Sequence, residues 1–137
     1  MAKQYWMVKS EPGEFSFDDL VRDGSTRWDG VRNYQARNNL NAMSPGDALL
    51  VYHSVSDKQV VGIAEVSGKP YPDPTDNPEG RWVVVDVIPK RKLKKPVDLA
   101  TIKADKALAN LPLIKQSRLS VIPLTKAQFD YLVKLGG

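Results

Sequence analysis

Short apolar runs and three-to-four-residue spacings alternate along the 137-residue chain, and turn signals separate them. Tyr5-Trp6-Met7-Val8 is apolar and aromatic and is ended by Glu11-Pro12-Gly13, which predicts a buried first strand. Ser16 followed three residues later by Asp19 has the spacing of a capping box. Leu20 and Val21 give the ensuing short helix its apolar side, and Asp23-Gly24 stops it. A second helix is predicted from about Asn33 to Met43, where Tyr34, Arg37, Asn38 and Asn41 recur at spacings of three and four before Ser44-Pro45-Gly46-Asp47.

From Ala48 the pattern turns β-branched and aromatic, predicting strands over Ala48 to His53, Gln59 to Val66 and Trp82 to Ile88. Polar Ser54 to Lys58 joins the first two as a hairpin. Four prolines and a glycine between Pro70 and Gly80 predict a surface loop that joins neither helix nor ladder. Beyond it, Asp98 to Ala109 reads as one or two short helical pieces and Ser117 to Leu124 as a last strand edged by Pro123. Thr125 and Gln128 form a second capping box, opening a terminal helix with a Phe129, Leu132 and Val133 stripe that Gly136 closes. No repeat or low-complexity segment interrupts this order. Similarly spaced strands with helices early and late predict one α+β domain over residues 1–137, built on a curled sheet or small barrel.

Composition narrows the chemistry. With no Cys and a single His, His53, thiolate and multi-His metal sites, disulfides and cysteine nucleophiles are excluded, and any hydrolytic triad would rest on His53 alone. The nine glycines form no phosphate-binding motif, so no nucleotide cofactor is expected. Apolar runs fall far short of the roughly 20 residues that span a bilayer, and Lys9-Ser10-Glu11 interrupts the start before a secretory core can form. An intracellular protein that does not enter a membrane is expected.

Charge is unevenly placed. Residues 1–89 hold 9 basic and 13 acidic side chains, a net of −4, whereas residues 90–137 hold 11 basic and 3 acidic, a net of +8. The densest run, Lys90-Arg91-Lys92-Leu93-Lys94-Lys95, fits either a phosphate backbone or ordinary solvated surface.

The segment Trp28-Asp29-Gly30-Val31-Arg32-Asn33-Tyr34-Gln35-Ala36-Arg37-Asn38 carries a planar aromatic, an amide and two guanidiniums across a turn into a helix N-terminus. One reading has Trp28 stacking on a base, Asn33 reading its edge and Arg32 and Arg37 meeting phosphate. The other has Trp28 in the core, Asn33 as a helix cap and the arginines paired with surface acids. Lys9-Ser10-Glu11-Pro12 and Tyr52-His53-Ser54 both place polar groups at strand ends, where barrel mouths carry ligands.

These stretches, with Tyr5-Trp6, Phe17-Asp18-Asp19-Leu20, Val61-Gly62-Ile63-Ala64-Glu65-Val66 and Arg118-Leu119-Ser120-Val121, together resemble the EVE domain, in its thymocyte nuclear protein-like branch. The resemblance runs nearly end to end, and the long Trp28 to Asn38 string is its most specific part. It implies a PUA-like fold, a small β-barrel of mostly antiparallel strands flanked by helices, and a non-catalytic reader that takes one extruded, modified base into a pocket. Carried over by position, Lys9, Ser10, Trp28, Arg32, Asn33, Tyr34, Arg37, Tyr52, His53 and Ser54 would line that pocket, with Arg118 and Ser120 nearby. Arg32, Arg37, Lys90, Arg91, Lys92, Lys94 and Lys95 would contact phosphate. The implied partner is DNA or RNA carrying a modified base, such as a modified cytosine. The implied protein is a monomer in the bacterial cytoplasm with access to the nucleoid.

Two rival readings stay open on the residues themselves. One is an enzyme acting on a modified nucleotide or RNA, with His53 and Ser54 handling protons. The other is a module that binds a small ligand or a protein.

Overall fold

The computed structural model describes residues 3–28, 33–55, 58–74, 82–116 and 119–137. Its elements run β1 (Tyr5–Ser10), α1 (Phe17–Asp23), β2 (Thr26–Trp28), α2 (Tyr34–Asn41), β3 (Ala48–His53), β4 (Gln59–Val66), β5 (Tyr71–Pro72) and β6 (Val83–Asp98). They continue as α3 (Leu99–Ala104), a single 3-10 turn at Lys106–Leu108, α4 (Pro112–Lys115), β7 (Val121–Leu124) and α5 (Lys126–Gly136).

Among the described residues, six strands form one mixed sheet in the order β2-β6-β4-β3-β1-β7, and β5 pairs separately with β6. Among the described residues only β1 and β3 run parallel, from Tyr5 opposite Ala48 to Ser10 opposite His53, while the other pairings are antiparallel. Register shifts at Val51/Tyr52, Val60/Gly62 and Ile63/Ala64 mark bulges, which sharpen strand twist and curl this sheet into a half-barrel. Helix α2 packs on both β6 and β7, and the Asn39 amide donates to the Val121 carbonyl at 2.7 Å, tying α2 to the β7 edge. The fold is α+β, and no helix among the described residues is long and apolar enough to cross a membrane.

The core lies inside this curl. Met7 and Val8 of β1, Leu49 and Leu50 of β3, Val60 and Ala64 of β4 and Val85 and Val87 of β6 are buried, with Phe17 and Leu20 of α1, Leu40 of α2 and Leu132 of α5. Gly62 has a specific reason to lack a side chain: a Cβ there would stand 2.5 Å from the Phe17 ring. Buried Asp47 organises the opposite end. Its carboxyl oxygens accept from the Gln4 backbone N–H and carboxamide, the Trp6 indole and the Ser44 N–H at 2.9–3.1 Å, so hydrogen-bond donors satisfy this buried group.

Both predicted capping boxes form, Ser16 with Asp19 and Thr125 with Gln128, and Gly24 ends α1 with φ +78. Several boundaries differ from the sequence pattern. β6 runs sixteen residues, so the basic run continues the strand rather than following it; Leu93 and Val97 still alternate inward, and pairing with β4 holds the segment extended. Tyr71 and Pro72 do join a ladder, with Val84 and Val83, at a sheet margin where proline's missing donor is tolerated. β1 extends through Lys9 and Ser10, β7 begins only at Val121, α4 forms at Pro112, and α5 continues through buried Gly136, which lies against Leu93.

Candidate functional site

The end of β1 gathers the site. The Lys9 N–H donates to the Ser120 carbonyl at 3.0 Å, and the Ser54 N–H donates to the Ser10 carbonyl at 2.9 Å, so Ser120 and Ser54 are fixed on either side of the strand. Immediately after, the Glu11 carbonyl accepts from the N–H groups of Glu14 and Phe15 at 2.9 and 2.8 Å, and the Ser10 hydroxyl donates to the Phe15 carbonyl. This tight turn folds Glu11, Glu14 and Phe15 back over the strand end. β2, paired to β6 with Trp28 opposite Val85, supplies the remaining wall through Thr26, Arg27 and Trp28.

Between these walls lies a cavity of about 590 Å³, lined by Lys9, Ser10, Glu11, Glu14, Phe15, Thr26, Arg27, Trp28, Ser54 and Ser120. That volume is in the range of small-ligand sites, about 300–1,000 Å³. Trp28 and Phe15 meet edge to face, with ring centroids 6.5 Å apart and planes at 85°. Trp28 is only 8 % exposed, so it is at once a core residue and a cavity wall. The Lys9 ammonium stands 6.0 Å from the Tyr52 ring centroid, and its burial holds its pKa below the ordinary lysine value. Burial likewise pushes the Tyr52 phenol up.

Five of the residues singled out in the sequence therefore converge: Lys9, Ser10, Trp28, Ser54 and Ser120. Tyr52 lies behind Lys9, buried in β3. His53 is buried too, and its Nε2 accepts the Phe17 N–H at 3.0 Å. Asn33 caps α2, its side-chain oxygen accepting the Ala36 N–H at 2.9 Å. Tyr34 is exposed and stacks on Trp82 with centroids 5.0 Å apart, while the Arg37 guanidinium sits 4.9 Å over the Tyr34 ring. Arg32 and Arg118 lie outside the described residues.

The basic run lines no part of this cavity. Lys90 pairs with Glu65 at 3.6 Å and Lys92 with Asp18 at 2.9 Å, Arg91 donates to the Gly137 carbonyl at 3.5 Å, Leu93 is buried, and Lys94 and Lys95 are exposed. Glu11, Glu14, Phe15, Thr26 and Arg27 are cavity residues that the sequence did not assign to the pocket. Glu11 stands inside the Lys9 to Pro12 stretch, and Thr26 and Arg27 directly precede Trp28, so adjacency to marked residues was the available signal.

Residues 4–135 match the EVE domain. The chain belongs to the EVE domain family. Human thymocyte nuclear protein 1 is 36% identical over an alignment 166 residues long, covering 96% of this chain and 73% of that protein. The NMR structure of Rpa0253 from Rhodopseudomonas palustris superposes with a TM-score of 0.92 at 46% identity, covering 98% of this chain and 93% of that one. The crystal structure of the human THYN1 protein in complex with 5-methylcytosine-containing DNA has a TM-score of 0.89 at 34% identity, with 98% of each chain covered. In this EVE domain the cavity opens at the carboxyl end of β1, where polar strand-end groups meet an aromatic wall.

Proposed function

We propose that the chain is a non-catalytic reader of a modified base in DNA, methylated cytosine foremost, and that the extruded base enters the cavity between the end of β1 and β2. The observation that carries this reading is the meeting of Lys9, Ser10, Trp28, Ser54 and Ser120 around one cavity. Its chemistry suits a cytosine. A carboxylate accepts from the exocyclic amino group, which gives Glu11 and Glu14 a role, while Lys9 and the serine hydroxyls donate to ring and carbonyl acceptors. The Trp28 and Phe15 rings supply the apolar surface for stacking and for the methyl group.

Magnitudes support a modest but selective binder. Extrusion costs a few kcal/mol, and one stacked base returns about 1–3 kcal/mol, so edge hydrogen bonds and phosphate contacts supply the surplus. Arg37, held over Tyr34 on the helix that follows Trp28, would supply one such phosphate contact. The proton-handling alternative is weakened because His53 spends Nε2 on the Phe17 N–H.

The test is a titration with matched oligonucleotides carrying cytosine, methylcytosine or hydroxymethylcytosine, as DNA and as RNA. A methyl-sized difference is worth about 1–3 kcal/mol, so methylated DNA should bind roughly 10- to 200-fold more tightly than the unmodified form. Equal affinity for all forms overturns the reading, and preference for RNA moves the target class.

A further inference from the structure

Among the described residues, Val55 is the most exposed large hydrophobic side chain, at 65 %, and its φ is +71. Left-handed backbone favours Gly and Asn, and a β-branched residue there is an outlier. The hairpin connection uses the positive φ to reverse the chain, but it does not call for a β-branched side chain, and this one is largely in water. Such a residue, held against local preference, points to function when its position fits one.

Its position in the chain is next to the cavity wall. Val55 follows Ser54, which lines the cavity and whose N–H is tied to the Ser10 carbonyl at 2.9 Å. Lys58, also left-handed with φ +49, is anchored by its carbonyl to the Leu99 N–H at 2.9 Å. The described backbone on both sides of the hairpin connection is therefore anchored, and Val55 is exposed one residue beyond a cavity-lining serine.

We propose that Val55 is a wedge that enters the stack of duplex DNA and occupies the gap left by the base drawn into the cavity. The inference rests on the base-reading function proposed above. Extruding a base from a duplex breaks its stacking on both neighbours, and an apolar side chain inserted at that step replaces part of the lost contact. A base in a single strand needs no such replacement, so the wedge acts on duplex targets selectively.

The experiment compares the native chain with Val55→Gly and Val55→Asn, both compatible with the left-handed backbone. It measures Tm and the affinity for a methylcytosine duplex and for the same methylated strand alone. The expected result is a Tm at or above that of the native chain, with the ratio of duplex to single-strand affinity falling about tenfold. An unchanged ratio in both variants overturns the wedge, whatever happens to Tm. Failure of the native chain to prefer methylated over unmethylated DNA in either form is a separate result, and it overturns the base-reading function itself.

Discussion

The Nε2 of His53 accepts the backbone N–H of Phe17 at 3.0 Å, and so a β3 side chain seats the first turn of α1. An accepting Nε2 is unprotonated, which puts the proton of the neutral ring on Nδ1. The same first turn carries Phe17, whose ring covers Gly62, and it follows the Glu11 to Phe15 turn that walls the cavity. The lone histidine thus supports the site's frame from behind.

This role gives His53→Ala a defined effect. Leaving the Phe17 N–H buried without a partner should cost about 1–3 kcal/mol of stability, read by urea denaturation. Base selectivity measured on the folded fraction should persist. A variant that is fully stable yet loses binding would place His53 in the site instead.

Gly62→Ala tests the α1 seat from the other side. The added methyl meets the Phe17 ring at 2.5 Å, and Phe17 is fully buried, so the ring has no open space to enter. Overpacking of this kind should lower stability by about 1–3 kcal/mol. A Tm equal to that of the native chain would show that α1 is not pressed against β4 at this point.

Lys9 separates stability from binding. Burial disfavours its charged form, so its folded pKa lies below 10.5, the ordinary value. Between the lowered folded pKa and 10.5 the unfolded chain holds more protons, and this group's contribution to stability therefore rises with pH across that window. DNA binding runs the other way and weakens as Lys9 loses its charge there. Lys9→Met should leave Tm unchanged or raised and, because it removes a charged donor to the bound base, weaken binding of methylated DNA by about 1.5–3 kcal/mol. A strong loss of Tm with native binding would contradict this assignment.

Much of the frame was legible because local signals coincide with tertiary demand. Ser16 and Asp19, Thr125 and Gln128, and the apolar runs of β3 and β4 each carry their own pattern. β2, β5 and the second half of β6 were not legible in this way. Thr26 to Trp28 and Tyr71-Pro72 are too short to show a period, and a lysine-rich stretch is extended at 90–98 only because β4 pairs with it. The site divided similarly. Lys9, Ser10, Ser54 and Ser120 are strand-end groups, whereas the contributions of Glu11, Glu14 and Phe15 arise from a turn closed by the Glu11 carbonyl and the Ser10 hydroxyl.

Trp28 carried two readings in the sequence, and the structure joins them. At 8 % exposure, Trp28→Ala would remove a core side chain, costing about 3–5 kcal/mol, so loss of binding in that variant alone is not diagnostic. Trp28→Phe keeps an aromatic wall and most of the packing while reducing the stacking area. It should lower affinity for methylated DNA by about tenfold, since a stacked base is worth about 1–3 kcal/mol, with a smaller effect on unmethylated DNA.

The most direct test of the central claim, that the cavity beside Trp28 receives the modified base, is a fluorescence titration of the native chain and Trp28→Phe. The two ligands are DNA duplexes differing only in one cytosine methyl group. The account predicts tighter binding of the methylated duplex, with quenching of tryptophan emission that is largely absent from Trp28→Phe. Equal affinity for the two duplexes, or a methyl preference with the same quenching in both proteins, would contradict it.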